Sequence, residues 1–166
     1  MEEQVVIVNA ENEVINVVPR SEMRAHSLLH RSTYIIIFNS KGELLIQKRS
    51  EKKDLYPGYF DPTTGGVVQE NESYERNAAR ELEEELGIKE VKLNFEFDFH
   101  FEDGQCKVWG RVFSCIYDGL IEPKDGEVVD FFFLDPKSLD QFFQDHLVMP
   151  DGRHAIEQYL LNLSNN

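Results

Sequence analysis

The first pattern along the chain is a pair of β-branched runs, Val5–Val8 and Val14–Val18, separated by the turn-forming stretch "NAENE". That combination predicts a hairpin over residues 5–18. "PRSEMRAHSLLH" predicts a short helix with Ser21 as its N-cap. "STYIIIFN", the turn "SKGE" and "LLIQKR" read as a second hairpin. The loop that follows, "SEKKDLYPGYFDPTTGG", holds two prolines and three glycines. Loops of that length inside a compact domain are often functional.

The period then changes to that of a helix, from about Glu72 to Leu86, with Gly87 as the left-handed residue that stops it. "VKLNFEFDFHFE" alternates as a half-buried strand, and "DGQ" turns it into "CKVWGRVFSCIYD". Val128–Leu134 is one more strand, and "DPKSLDQFFQDH" and "DGRHAIEQYLLNLS" end the chain as helices with apolar faces. Strands on both sides of a helix, with helices last, predict an α/β (α+β) fold: a mixed sheet sandwiched between helices. No linker or repeat divides the 166 residues, so one domain over 1–166 is expected.

Charge narrows the function. The chain has 17 Lys and Arg against 31 Asp and Glu, a net charge of −14. A general phosphate-backbone binder needs the opposite sign, so nucleic acid is not an expected partner. No apolar run approaches the ~18–20 residues of a membrane span, and "MEEQVVIVN" lacks the plan of a signal peptide. A cytoplasmic protein with no membrane partner is expected, its state open between monomer and homodimer. Cys106 and Cys115 make neither a disulfide framework nor a metal spacing, and read as small hydrophobes.

The unusual feature is electrostatic. Glu81, Glu83, Glu84 and Glu85 crowd the negative end of their own helix, where anions are disfavoured by roughly 0.3–1 kcal/mol each. At ~100° per residue, Glu84 and Glu85 fall within ~60° of Glu81, while Glu83 points away. Ala78, Leu82 and Leu86 occupy the neighbouring, core-facing sector. Three converging carboxylates suit a hard cation such as Mg²⁺ or Mn²⁺; a merely solvated acidic helix is the alternative.

The spacing of the stretch also matches a known signature. From Gly66 to Ile88 the chain reads G-x5-E-x7-R-E-U-x-E-E-x-G-U, U being bulky aliphatic, through Gly66, Glu72, Arg80, Glu81, Glu84, Glu85 and Gly87. This resembles the Nudix box. The resemblance implies a Nudix fold and a Mg²⁺- or Mn²⁺-dependent pyrophosphohydrolase acting on a small nucleotide-like or other diphosphate-containing metabolite. It implies Glu84 and Glu85 as principal metal ligands, and Glu81 as a further ligand or the base that activates water. Arg80 would orient the carboxylates, Gly66 would let backbone approach the site, and Glu72 would support the helix start or bind water near a metal.

A narrower resemblance covers "HRSTYIIIFNSKGELLIQKRSEKKDLYPGYFD", which is similar to isopentenyl-diphosphate isomerases of the same fold. Their catalytic Cys would fall at Gly65, a metal-binding His at Val67, and their glutamate pair near Cys106 and Val108. "MRAHSLLHR" and "KVWGRVFSC" resemble isomerase-like bacterial Nudix hydrolases. Isomerase activity and a non-catalytic ligand sensor are the alternatives to hydrolysis. Lys48 and Arg49 are candidates for substrate phosphate, Trp109 for stacking on substrate, and Glu127 for metal or base work. His26 and His30, four apart on the expected helix, and His100 read as structural.

Overall fold

A computed structural model describes residues 1–166 as one eight-stranded mixed sheet with helices on its faces. Strands β1 (Gln4–Val8) and β2 (Val14–Pro19) form the N-terminal antiparallel hairpin. Strand β3 (His30–Phe38) runs parallel to β7 (Lys107–Ile116) along its whole length, from His30↔Val108 to Phe38↔Ile116. β6 (Asn94–Glu102) pairs antiparallel with β7, and β4 (Leu44–Arg49) with β8 (Val128–Leu134).

The expected second hairpin is only a stub. β3 and β4 share the single pair Phe38↔Leu44 before parting. β7 takes up β3, and β8 takes up β4. The segment after the two-residue strand β5 (Phe60–Asp61) then runs beside β3 through the bridges Ile35↔Thr64 and Ser32↔Val67. Pairing across the sheet thereby opens a cleft between β3 and β4 and threads Gly65 and Gly66 into it.

β3 is buried on both faces, and its period of two distributes it between two cores. Ile35 and Ile37 pack with Tyr74, Ala78, Leu82 and Leu86 of helix α2 (Tyr74–Leu86). Tyr34 and Ile36 pack on the opposite face with Leu139 and Phe143 of α3 (Leu139–Asp145) and Ala155 and Ile156 of α4 (Pro150–Ser164). Each fully buried Leu or Ile contributes roughly 1.5–3 kcal/mol, so α2 is clamped to the sheet from its apolar side.

Helix α1 (Arg20–Ala25) differs from the sequence expectation. Pro19 is its N-cap residue, and the Ser21 N–H donates to Glu2 Oε1 at 2.7 Å, so Ser21 lies inside the helix. It stops at Ala25, and Ser27 follows with φ 48°. His26 and His30 therefore share no helix; His30 begins β3. α2 begins at Tyr74 rather than Glu72, because Ser73 is the cap: its Oγ accepts from Arg76 N at 3.1 Å. Gly87 ends α2 with φ 68°, and its N–H donates to Glu83 O at 3.0 Å.

Candidate active site

The cleft between β3 and β4 leads into a cavity of about 110 Å³. Glu81, Glu84 and Glu85 stand on one wall with Gly65, Gly66 and Glu127. The helical geometry places them as the spacing predicted: Leu82 and Leu86 go to the core and Glu83 is exposed. Their surroundings differ sharply. Glu85 is 5% exposed, with Oε2 buried and without a hydrogen-bond partner. Burial, then the charge of Glu81, push its carboxyl well above the ordinary range. Burial likewise raises Glu81 to about 7, against the pull of Arg80. The Glu84 side chain is 49% exposed.

Arg80 distributes the tension. It donates from Nε to Glu72 Oε2 at 2.6 Å, from Nη2 to Glu72 Oε1 at 3.1 Å, and from Nη1 to Glu84 Oε2 at 2.9 Å. Its Nη2 also stands 3.3 Å from Glu81 Oε1. Glu72 is fully engaged, since Gln69 N and Asn77 Nδ2 also donate to Oε1. Burial would raise the Glu72 carboxyl, but the bonds from Arg80 and Asn77 hold it below its ordinary value. Glu72 lies off the cavity, at the start of α2, where it anchors Arg80. Gly66 matters for a steric reason. A Cβ there would stand 2.5 Å from Glu81 Oε1, so that carboxylate rests directly on backbone.

No three Asp, Glu, His or Cys side chains stand in metal-binding geometry. Arg80 engages both Glu84 and Glu81, and the trio lines one cavity without closing into a ligand cage. The donor set nevertheless fits a hard divalent cation. It is all oxygen, and it leaves one buried carboxylate oxygen with no donor, an arrangement costing several kcal/mol unless a cation or proton meets it.

The cavity also has a basic lining. Arg20 and Arg24 of α1, with Arg49 and Lys53, line the same cavity. Asp54 holds Arg20 and Arg24 at 3.2 and 3.3 Å, and Lys53 donates to Glu127 Oε2 at 3.0 Å. Arg49 donates to the carbonyls of Leu55 and Tyr56, bracing the long loop.

Two candidates lie elsewhere. Lys48 sits over the Phe60 ring, 5.6 Å from its centroid, and is off the cavity, because alternate residues of β4 face opposite sides. Trp109 donates from Nε1 to Ala10 O and stacks on His100 at 5.2 Å, which fixes it against the N-terminal hairpin away from the cavity. His30 does line the cavity but is buried, and burial lowers its imidazole to about 4. His26 and His100 are exposed. Cys106 and Cys115 are free and buried, their thiols pushed up by burial to about 12 and about 11. Arg20, Arg24, Asp61 and Asp151, which the sequence did not point to, also line the cavity, as does Lys53 of the basic cluster that follows Arg49. The i, i+4 spacing of Arg20 and Arg24 was the one signal available.

A family model for the NUDIX domain matches residues 28–158, most of the chain and all of the cavity's α2 wall. The chain belongs to the Nudix family. It is 45% identical over 149 residues to the uncharacterised Nudix hydrolase YfcD of Escherichia coli K12, covering 87% of this chain and 83% of that protein. It is a Nudix hydrolase by that kinship, and hydrolysis of pyrophosphate bonds is the general chemistry it brings. Among solved folds, DR0079 of Deinococcus radiodurans superposes with a TM-score of 0.82 at 23% identity, covering 94% of this chain and 98% of that one. The NUDIX domain of Shewanella oneidensis NrtR, complexed with ADP ribose, superposes at 0.62 with 14% identity, covering 88% and 99%. These two likenesses establish the Nudix fold. No helix is long and apolar enough to cross a membrane.

Proposed function

We propose that this Nudix hydrolase cleaves the diphosphate bond of a small nucleotide-like metabolite with Mg²⁺ or Mn²⁺. One observation carries the reading: the α2 carboxylates, including the unpartnered Glu85 Oε2, line one cavity together with four cationic side chains. Glu84 and Glu85, with Glu81 beside them, would hold the cation. When bound, it neutralises the diphosphate and stabilises charge developing on its oxygens.

The chain's own groups do the rest. Arg20, Arg24 and Lys53 bind phosphate oxygens and set the orientation of the substrate. Glu81, beside the cation site, accepts a proton from the attacking water. The water oxygen bonds to phosphorus as the bridging P–O bond breaks, and the leaving phosphate keeps the bridging oxygen. Glu127, tethered by Lys53, lines the same cavity as a carboxylate for metal or base work. The NUDIX domain of NrtR, which shares this fold, is complexed with ADP ribose, a molecule of this class.

The resemblance to isopentenyl-diphosphate isomerases stops short of their cysteine. At Gly65, where the isomerase cysteine would fall, a Cβ would collide with the Thr33 carbonyl oxygen. The decisive test is Glu84→Gln, assayed with Mg²⁺ or Mn²⁺ across nucleoside diphosphates and triphosphates, dinucleotides, sugar nucleotides, coenzyme A and prenyl diphosphates. Loss of turnover by at least ~100-fold with an unchanged circular dichroism spectrum is expected, as for removal of an electrostatic transition-state partner. Undiminished turnover would reject Glu84 as a ligand, and isomer formation without hydrolysis would reject the reaction.

A further inference from the structure

The cavity has a second polar wall that bond cleavage does not use. Asp61, at the end of β5, accepts at Oδ1 from Thr63 N and Thr63 Oγ, both at 2.8 Å. Asp151, in the first turn of α4, accepts at Oδ2 from Tyr34 Oη at 2.6 Å, while its Oδ1 is buried with no partner. Each aspartate is 7% exposed, and both line the cavity with Tyr34 and Thr63.

This wall is rigidly built. Phe60 N donates to Leu147 O at 2.9 Å and Met149 N to Phe60 O at 2.8 Å, which pins the start of α4 to β5. A Cβ at Gly152 would collide with Asp61 Oδ1, so α4 seats directly on that carboxylate. Burial and the neighbouring Asp151 raise Asp61 to about 7. A structural role for Asp151 is complete with the Tyr34 bond. It leaves Oδ1 unexplained, because a buried acceptor without a donor is destabilising.

We propose that Asp151, with Asp61 beside it, binds an N–H- or O–H-bearing group on the moiety attached to the diphosphate and so selects the substrate. The inference rests on the hydrolase reading for its substrate class. The amino group of a nucleobase and a sugar hydroxyl share this chemistry. A carboxylate favours an amino group over a carbonyl at the same position, because only the former donates.

The test is calorimetric binding of nucleoside monophosphates in matched amino and oxo pairs, CMP with UMP and AMP with IMP, together with their 2′-deoxy forms. Wild type is expected to prefer an amino or a ribo member at least tenfold. In Asp151→Asn that preference should fall to within about twofold or invert, since a carboxamide can donate to a carbonyl. Collapse of the amino/oxo ratio identifies the base as the donor, and collapse of the ribo/deoxy ratio identifies the sugar; either supports the assignment. No preference in wild type, or an unchanged preference in folded Asp151→Asn, overturns it. Asp61→Asn, on a strand rather than a helix, gives the same readout should Asp151→Asn not fold. Binding is read without turnover, so failure of the hydrolase reading shows separately as absent cleavage of the whole diphosphate panel by wild type with Mg²⁺ or Mn²⁺.

Discussion

Arg80 spreads one positive charge over three carboxylates, with two bonds to Glu72, one to Glu84 and a close approach to Glu81. Only a planar guanidinium with five donors can do this; an ammonium supplies a point charge on a flexible stem. Arg80→Lys should therefore lower kcat by roughly 10–100-fold, the usual cost of losing a group that orients ligands, and leave the melting temperature nearly unchanged. Steady-state kinetics beside thermal unfolding checks it, and unchanged kcat would remove Arg80 from the account. At this scale the box residues were legible because helical spacing alone puts Glu81, Glu84 and Glu85 on one face. Arg20, Arg24, Asp61 and Asp151 were not, because the cavity gathers them from α1, β5 and α4 by tertiary packing that carries no local period. Lys48 and Trp109 were plausible by type but do not line the cavity, because facing depends on which side of β4 and β7 turns toward the cleft.

Helix α2 works as a beam whose two ends were written differently into the chain. Its stop is a glycine with φ 68° and was plain from the sequence. Its start lies at Ser73, where the hydroxyl satisfies the Arg76 N–H. Ser73→Ala should cost about 1 kcal/mol of stability while kcat holds, since the clamp through Arg80 and Glu72 is untouched. Urea unfolding and a parallel assay check both halves; a loss of activity exceeding the loss of folded protein would contradict the separation. The β3–β4 pair shows the limit of element-level reading. Each strand was legible, and the turn between them was right. Their separation was not, because partner choice among strands is settled by β7 and β8, more distant in the chain.

For the molecule as a whole, the cavity couples stability to pH. Glu81 and Asp61 are each raised to about 7 in the fold, so the folded chain holds protons that the unfolded chain releases above ~4. Their contributions are present at low pH and lost as pH rises toward 7, each by at most ~1.4 kcal/mol per unit. His30, lowered to about 4 by burial, acts oppositely: its contribution is lost as pH falls from ~6.5 toward 4. Two carboxyls outweigh one imidazole. Unfolding in chelator should thus show greater stability near pH 5.5 than near pH 8, and Mg²⁺ or Mn²⁺ should recover the difference at the higher pH. A metal-free chain that gains stability steadily over that interval would contradict the electrostatics.

The most direct measurement restores metal to chelated enzyme. Turnover of the diphosphate panel is followed as Mg²⁺ or Mn²⁺ is titrated back, with wild type beside Glu85→Gln. The account predicts no activity in chelator, saturable recovery in wild type, and a loss of at least ~100-fold in the variant at every metal concentration. Full turnover without metal, or a Glu85→Gln curve that overlays the wild type, would contradict it.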